Sequence, residues 1–432
     1  MPVKPRPPLP DGPFLVVGLA RSGGAIARAL AERGEEVVGV DRGSPPGAAG
    51  LEGAGVEIHT DADGSELLAR VSTVVKSPGV PAEAPVVAAA RERGMPVIGE
   101  LEAAWRMVPN PFVAVTGTNG KTTVTELAGH IWRTAGKPVV VAGNVGTPLA
   151  SFAGGIDPDA TVVCECSSFQ LEDTEAFAPE CAVLLNITPD HLDRHGTLEA
   201  YLDAKLRIFA NQGTGDVAVH PDLSAYVGEI PGDARGVPLE RVDLPVEPAE
   251  LGLLGAHNVA NARAAAAAAA AMGIEEEAIA EGLRTFEGVP HRLERIAEID
   301  GVLYVNDSKA TNVAAAAAAL RAFPDRGVRV ILGGSLKGGD FTGLEVPIAE
   351  RGVGVYLIGE AAPRLAEDLE NVHGAEIVLV LSGDLETAVG DATRDADAGD
   401  VVLLAPACAS FDAYRDYEAR GEHFRALVEA LR

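Results

Sequence analysis

The chain has 432 residues, 47% hydrophobic and 23% charged, enough apolar material for about three domains of ~150 residues each. Against 35 Lys and Arg stand 63 Asp and Glu, a formal charge of −28 that excludes nucleic acid as a partner, although a local nest of amides can still take a phosphate. Four cysteines and the absence of a leader-like start argue against a disulfide scaffold and predict a reducing, cytoplasmic setting.

Residues 1–13 are Pro-rich and read as a loose tail. Residues 14–18 then predict a strand, 22–33 a helix and 36–41 a second strand, the opening of a doubly wound sheet. A strand at 72–76 enters the turn Ser77-Pro78-Gly79. A second series begins with a strand at 112–115 running into a glycine-rich turn and a helix. Strands at 138–142, 161–166 and 181–187 and a helix at 197–211 follow it, and the pattern from about 209 to 250 is irregular. A third series predicts strands at 302–306, 328–333, 354–358, 376–380 and 401–404. The alanine runs 264–271 and 314–319 fall short of the ~20 apolar residues of a membrane span and predict buried helices, so no membrane partner is expected. The expected fold class is α/β in three units, 1–99, 100–288 and 289–432.

Thr116-Gly117-Thr118-Asn119-Gly120-Lys121-Thr122-Thr123 carries the most specific chemistry. It lies between a strand and a helix, so backbone N–H groups and the helix N-terminus face a phosphate. Lys121 reaches the β/γ-phosphates and Thr122 meets Mg²⁺. Two residues separate its glycines, where the common P-loop has four. Glu165 stands at the carboxyl end of the 161–166 strand, where ligands of parallel sheets gather, and is placed to hold nucleotide-bound Mg²⁺. Cys164 and Cys166 read as core residues. The strand-end segment Thr188-Pro189-Asp190-His191-Leu192-Asp193-Arg194-His195 offers two imidazoles and two carboxylates, either a second metal position or a solvated loop.

Lys205, from its pattern alone, is a surface lysine. Yet only seven of the 35 basic residues are lysines, and Lys121, Lys205, Lys309 and Lys337 all lie inside or beside motifs. Where arginine is preferred, a retained lysine points to chemistry that a guanidinium cannot do. Asn258 and Asn261 share a helix face and either read adenine edges or cap the helix. Pro290-His291-Arg292, Asn306-Asp307-Ser308-Lys309-Ala310-Thr311-Asn312, residues 333–339 and Pro406-Ala407-Cys408-Ala409-Ser410-Phe411-Asp412 form polar strand-end loops along one sheet edge. Near the start, Gly18-Leu19-Ala20-Arg21-Ser22-Gly23 with Asp41 imitates a dinucleotide fingerprint, but Ala20 replaces its middle glycine. That favours another nucleotide diphosphate over NAD.

Together these motifs resemble the Mur ligase family over nearly the whole chain. Residues 306–312, 190–193 and 406–411 with Arg420-Gly421 point to its D-glutamate-adding branch. The resemblance implies a Rossmann-like N-terminal domain, a central P-loop ATPase-type parallel sheet and a Rossmann-like C-terminal domain. It implies a ligase, acting as a monomer, that joins D-glutamate to UDP-N-acetylmuramoyl-L-alanine with ATP and two Mg²⁺, through an acyl phosphate and a tetrahedral intermediate.

Carried over by position, Thr122 and Glu165 hold one Mg²⁺, and His191 with Lys205, bearing a CO₂-derived carbamate, holds the other. Lys121, His191, Lys205 and Arg292 are the implied catalytic set. Gly117, Thr118, Asn119, Gly120, Thr123, Asn258, Asn261, Arg292, Asp307 and Lys309 are implied ATP contacts. Thr311, Lys337, Ser410, Phe411 and Tyr417 imply the D-glutamate pocket, and Ser22, Asn144, Ser167 and Gln170 the UDP-sugar-peptide contacts. Arg42 stands in for the Thr-Arg pair that the family uses near uridine. The alternatives are a folylpolyglutamate synthase-like ligase, which the βαβ unit ahead of the P-loop disfavours, an NAD-dependent oxidoreductase, and a non-catalytic nucleotide-binding module.

Overall fold

Three sheets follow one another along the chain in the computed structural model, which describes residues 4–45, 47–227, 229–253, 257–336, 340–351, 354–369 and 378–432. The first is built from β1 (Phe14–Val17), α1 (Arg21–Glu32), β2 (Val37–Val40), α2 (Ala48–Glu52), β3 (Glu57–His59), β4 (Thr73–Lys76), α3 (Pro85–Glu92) and β5 (Val97–Gly99). Its five strands run parallel in the order β3-β2-β1-β4-β5. β1, β2 and β4 are buried along their whole length, because helices cover both faces of a parallel sheet. Gly23 lets α1 lie against the end of β1, since a Cβ there would collide with the Gly18 carbonyl.

The second sheet follows α4 (Glu100–Met107). Its elements are β6 (Phe112–Thr116), α5 (Lys121–Thr134), β7 (Val139–Gly143), β8 (Thr161–Glu165), α6 (Ser168–Leu171), β9 (Cys181–Leu184), α7 (Leu192–His195), α8 (Leu198–Leu206), β10 (Val217–His220) and β11 (Arg235–Pro238). α9 (His257–Ala271) and α10 (Glu276–Thr285) come after it, α10 packing on α5. All six strands are parallel, in the order β11-β10-β9-β6-β8-β7. The strands that end in the P-loop and in Glu165 are therefore neighbours.

The third sheet contains β12 (Glu294–Ile299), β13 (Val302–Asn306), α11 (Val313–Arg321), β14 (Val328–Gly333), α12 (Glu345–Arg351), β15 (Gly354–Ile358), α13 (Ala362–Leu369), β16 (Val378–Gly383), α14 (Leu385–Arg394) and β17 (Val401–Leu404), closed by α15 (Tyr417–Glu429). Its order is β12-β13-β17-β14-β15-β16, parallel except for the antiparallel edge strand β12. The chain gathers into two compact units, one carrying the first two sheets and one carrying the third. Among the described residues no helix is long and apolar enough to cross a membrane, and all four cysteines are free thiols buried in the protein.

The structure corrects several sequence expectations. Of the expected loose tail, residues 1–3 lie outside the described residues, and the stretch from Lys4 is tied down. The Lys4 ammonium pairs with Asp216 at 2.6 Å, and Arg6 lies over the Trp105 ring at 4.4 Å while donating to the Asn110 carbonyl. The stretch called irregular holds β10 and β11, whose short Val-Ala-Val-His and Arg-Gly-Val-Pro segments give little pattern to read. The helix expected over 197–211 ends at Leu206, where Ile208 and Phe209 turn onto carbonyls three residues back. β16 begins at Val378, and residues 376–377 of the expected strand lie outside the described residues.

Candidate active site

The P-loop is a turn that only glycine could make. Gly120 caps α5 at φ +86°, and any side chain there would run into the Asn261 amide oxygen. This contact brings α9 against the loop. The first turn of α5 presents its N-terminal end to the loop, and the buried Thr123 hydroxyl has no hydrogen-bond partner. The Lys121 ammonium donates to the carbonyls of Gly117 (2.9 Å) and Thr118 (2.8 Å).

Lys205 is the outstanding group of this site. It is 1% exposed, so the surface position suggested by its local pattern is wrong: α8 turns it inward onto the loop. Its ammonium donates to the Gly117 carbonyl at 2.9 Å and sits 4.6 Å from the centre of the Tyr201 ring. Burial, reinforced by the charge of Lys121, holds its pKa well below the ordinary lysine value. Tyr201 in turn meets the Thr118 hydroxyl at 3.2 Å, and its phenol is pushed by burial up to about 12.

Glu165 is 2% exposed at the end of β8, in register with Val115 of β6 and Gly143 of β7. Asn144 donates its side-chain amide to Glu165 Oε1 at 3.0 Å. Ser167 caps α6 reciprocally with Gln170, whose amide also donates to buried Glu100 at 2.8 Å, so both side chains brace the segment after Glu165. His191 holds a left-handed backbone (φ +52°) and is about half exposed. The Phe169 ring lies 4.9 Å from His191 and stacks on His195 at 5.3 Å. Among the described residues no three His, Cys, Asp or Glu side chains gather as a self-sufficient metal site. The Thr122 hydroxyl and the Glu165 carboxylate nevertheless offer oxygen ligands of the kind Mg²⁺ takes, alongside waters and phosphate oxygens.

At the carboxyl ends of β1, β2 and β4 a cavity of roughly 360 Å³ is lined by Gly18, Ala20, Asp41, Arg42, Ser77 and Val80, among others. Asp41 spends both oxygens on backbone N–H groups, those of Leu19 (2.7 Å) and Gly43 (2.9 Å). It is thus taken from the ribose-binding role that an NAD site requires. Ser22 sits in the first turn of α1, two residues after Ala20 of this cavity.

In the third-sheet unit the loop after β13 is polar and buried. Asp307 is 7% exposed, and burial raises its carboxyl to about 6 despite the nearby Arg292 and a bond from the Leu293 N–H. The buried Nε of Arg292 has no hydrogen-bond partner, a donor left for an anion. The Lys309 ammonium lies 5.7 Å from the centre of the Tyr417 ring. Ser410 is buried, Thr311 is exposed and Phe411 is 65% exposed. Asn258 and Asn261 are both buried on α9. Lys337 lies outside the described residues.

Asp307 makes stability depend on pH. Its folded value, about 6, exceeds its unfolded value near 3.8, so the folded protein holds this proton more tightly. Its contribution is fully favourable below 3.8 and is lost as pH rises through 6, a difference of about 3 kcal/mol. Asp307→Asn keeps an acceptor for the Leu293 N–H and removes the buried charge. It is expected to raise the melting temperature of ligand-free protein above pH 6 and to change it little near pH 4, in thermal scans across that range.

Family models match the three sheets in turn: the Mur ligase MurD-like N-terminal domain over residues 13–99, the Mur ligase middle domain over 115–233, and the Mur ligase glutamate ligase domain over 291–408. The chain is 43% identical, over 97% of its length and 97% of the relative's, to the UDP-N-acetylmuramoylalanine--D-glutamate ligase of Pelotomaculum thermopropionicum. The chain belongs to the Mur ligase family. The enzyme of that name from Salinibacter ruber is also 43% identical, over 96% of this chain and 97% of its own. Among solved Mur ligases, the UDP-N-acetylmuramate-alanine ligase of Thermotoga maritima shares the fold with a TM-score of 0.57 at 20% identity, covering 98% of this chain and 100% of its own. The MurF ligase of the same organism, solved with ADP, also gives 0.57 at 19% identity, covering 92% of this chain and 96% of its own.

Three residues that brace loops within their own units were not singled out as site residues from the sequence. Asn186 grips the P-loop reciprocally, its Oδ1 accepting from the Asn119 N–H at 2.8 Å and its Nδ2 donating to the Asn119 carbonyl at 3.0 Å. Its one signal was being the polar residue inside an apolar run. Arg420, seen only as part of a motif string, is 1% exposed and binds the loops after β13, β14 and β17 at once. Arg194 leaves its own loop to bond the turn at 78–80.

Proposed function

We propose that this Mur ligase joins D-glutamate to the L-alanyl carboxylate of UDP-N-acetylmuramoyl-L-alanine, with ATP converted to ADP and phosphate. The observation that carries the reading is the near-full-length identity of 43% to ligases of that name. A carboxylate is a poor electrophile with no usable leaving group. Transfer of the γ-phosphoryl group to one of its oxygens gives an acyl phosphate and remedies both defects. The D-glutamate amine then adds to the carbonyl carbon, loses a proton, and phosphate departs as the tetrahedral intermediate collapses to the amide.

The carboxylate and the γ-phosphate repel, so the site must neutralise charge before they meet. The N–H groups of residues 117–123 cradle the phosphates, and Lys121 swings from its own loop carbonyls onto the β/γ oxygens. Asn258, Asn261, Asp307 and Lys309 hold the nucleoside, and Arg292 offers its unpartnered Nε to the transferring group. Thr122 and Glu165 would hold one Mg²⁺, and His191 with a carbamylated Lys205 the other. When bound, these ions supply charge neutralisation and alignment of phosphate and carboxylate oxygens.

Carbamylation fits Lys205 because CO₂ reacts with a neutral amine, and burial shifts this amine toward its neutral form. Arg42 and the cavity at the end of the first sheet take the uridine end of the substrate, and Ser22, Asn144, Ser167 and Gln170 lie along its sugar-peptide path. Thr311, Lys337, Ser410, Phe411 and Tyr417 take D-glutamate, with Lys337 pairing a carboxylate. The three sheets act as three domains, 1–99, 100–288 and 289–432, in a cytoplasmic monomer.

The test is phosphate release from ATP with Mg²⁺, bicarbonate and UDP-N-acetylmuramoyl-L-alanine. Release that requires D-glutamate, with none from L-glutamate, supports the reading. Release with another acceptor keeps the ligase chemistry and replaces the substrate. No release with any acceptor defeats it.

A further inference from the structure

The turn closing the nucleotide cavity and the loop bearing His191 are joined by a single guanidinium. Arg194, one-sixth exposed on α7, donates through Nη1 to the Pro78 carbonyl (3.3 Å) and through Nη2 to the Val80 carbonyl (3.1 Å) and to Glu172 Oε1 (2.7 Å). Its guanidinium covers the Phe169 ring at 4.7 Å, the ring that packs against His191 and His195. From below, Lys76, fully buried, bonds the same Val80 carbonyl at 2.8 Å and the same Glu172 oxygen at 3.2 Å, and pairs with Asp173 at 2.7 Å. Ser77, Gly79, Val80 and Pro81 of this turn line the cavity at the end of the first sheet. On the other side, His191 is about half exposed in a sparsely populated backbone conformation, where it meets Asp190 and the rings of Phe169 and Tyr201.

We propose that Arg194 is a positioning residue that couples occupancy of the nucleotide cavity to ordering of the 190–195 loop. A ligand against the 77–81 turn fixes the two carbonyls that receive the Arg194 fork. Those carbonyls fix the guanidinium, and the guanidinium fixes Phe169 and the backbone that aims His191. The loop is then ordered where the uridine end of the substrate is bound, and His191 is aimed only in that state. The coupling is reciprocal: whatever orders the loop tightens the cavity. Lysine is a poor substitute here, because its compact ammonium lacks the planar fork that reaches these three acceptors while lying over the Phe169 ring.

This inference rests on the nucleotide reading of the cavity, and the experiment separates the two. UDP, which lacks the sugar and the peptide end, is titrated into the full chain by calorimetry, and amide hydrogen exchange of residues 188–197 is followed with and without it. The wild type is expected to bind UDP and to slow exchange in that segment roughly fivefold or more. Arg194→Ala and Arg194→Lys are expected to bind UDP without that added protection, with kcat for phosphate release falling more than KM for the nucleotide substrate rises. Glu172→Gln, which weakens the same anchor without removing the guanidinium, is expected to give a partial loss and serves if the Arg194 variants do not fold. UDP binding without added protection in the wild type, or equal protection in Arg194→Ala, overturns the coupling and leaves the nucleotide reading standing. No UDP binding to the wild type overturns the nucleotide reading and the coupling with it.

Discussion

Lys205→Arg is expected to lower phosphate release by roughly 10²–10³-fold or more at every bicarbonate concentration, the scale of losing a preorganised charge at a reacting phosphoryl group. The reason lies in the amine, not in positive charge. A guanidinium stays protonated in any protein setting, so it cannot add to CO₂. The Lys205 amine is 1% exposed and shares the Gly117 carbonyl with Lys121, so burial and a neighbouring cation both favour its neutral form. In the proposed carbamate the nitrogen has attacked CO₂ and released one proton, so an anion replaces the neutral amine and is attracted to Lys121.

The sign of the pH effect follows. As pH falls through the depressed pKa the amine takes its proton, the carbamate is lost, and bicarbonate-dependent activity falls on the acid side. Lys205→Ala leaves a space beside the loop in which a short carboxylic acid can stand for the carbamate, and added formate or acetate is expected to restore part of the rate. Isotopically labelled bicarbonate read by NMR checks the modification independently of turnover. Wild-type turnover in Lys205→Arg would falsify the carbamate.

Arg420→Met is the second large change, and it acts on the third sheet. The guanidinium donates to Ser308 Oγ (3.0 Å), the Ser308 carbonyl (3.0 Å) and the carbonyls of Cys408 (3.1 Å), Ala409 (3.2 Å) and Gly333 (3.4 Å). Burial lowers its pKa to about 10, a value at which it remains charged at neutral pH. Methionine fills the volume and strips the Ser308, Cys408 and Gly333 carbonyls of that donor, while the Ala409 carbonyl keeps the Ser335 N–H, at a cost of about 4 kcal/mol. Lysine does not repair the loss, because three donors on one atom cannot reach three loops.

The third-sheet unit of the variant is expected to unfold at lower urea than in the wild type, read by amide exchange in β13, β14 and β17. The KM for D-glutamate is expected to rise at least about tenfold, because, of the proposed D-glutamate contacts, Ser410 stands on the loop that Arg420 binds and Tyr417 opens the helix that carries Arg420. An unchanged unfolding midpoint for that unit would show that Arg420 does not hold the loops together.

The parts legible in the sequence were those whose physics is local. β1, β6, β13 and β14 are continuous apolar runs, the pattern of strands buried on both faces, and each was readable from its own residues. The P-loop was readable because strand, paired glycines, lysine and helix are adjacent in the chain. Glu165 could be placed because a carboxylate ending a parallel strand faces the ligand edge. Three-residue β3 and β5 and the Gly- and Pro-containing β11 escaped, since so few residues carry no period.

What the sequence by itself determined, then, is the α/β class, the succession of strand-end loops and the phosphate-binding turn, all set by hydrophobic periodicity and by backbone freedom within a few residues. Tertiary structure alone decided which polar groups end up together and dry. Asn186 grips Asn119 from 67 residues away, Arg194 reaches Val80 across 114, and Arg420 meets Ser308 across 112. Lys205 changes from an apparent surface lysine to a buried amine once α8 packs against the loop after β6. A buried polar group must find partners, and the fold, bringing distant loops to one sheet edge, chooses them.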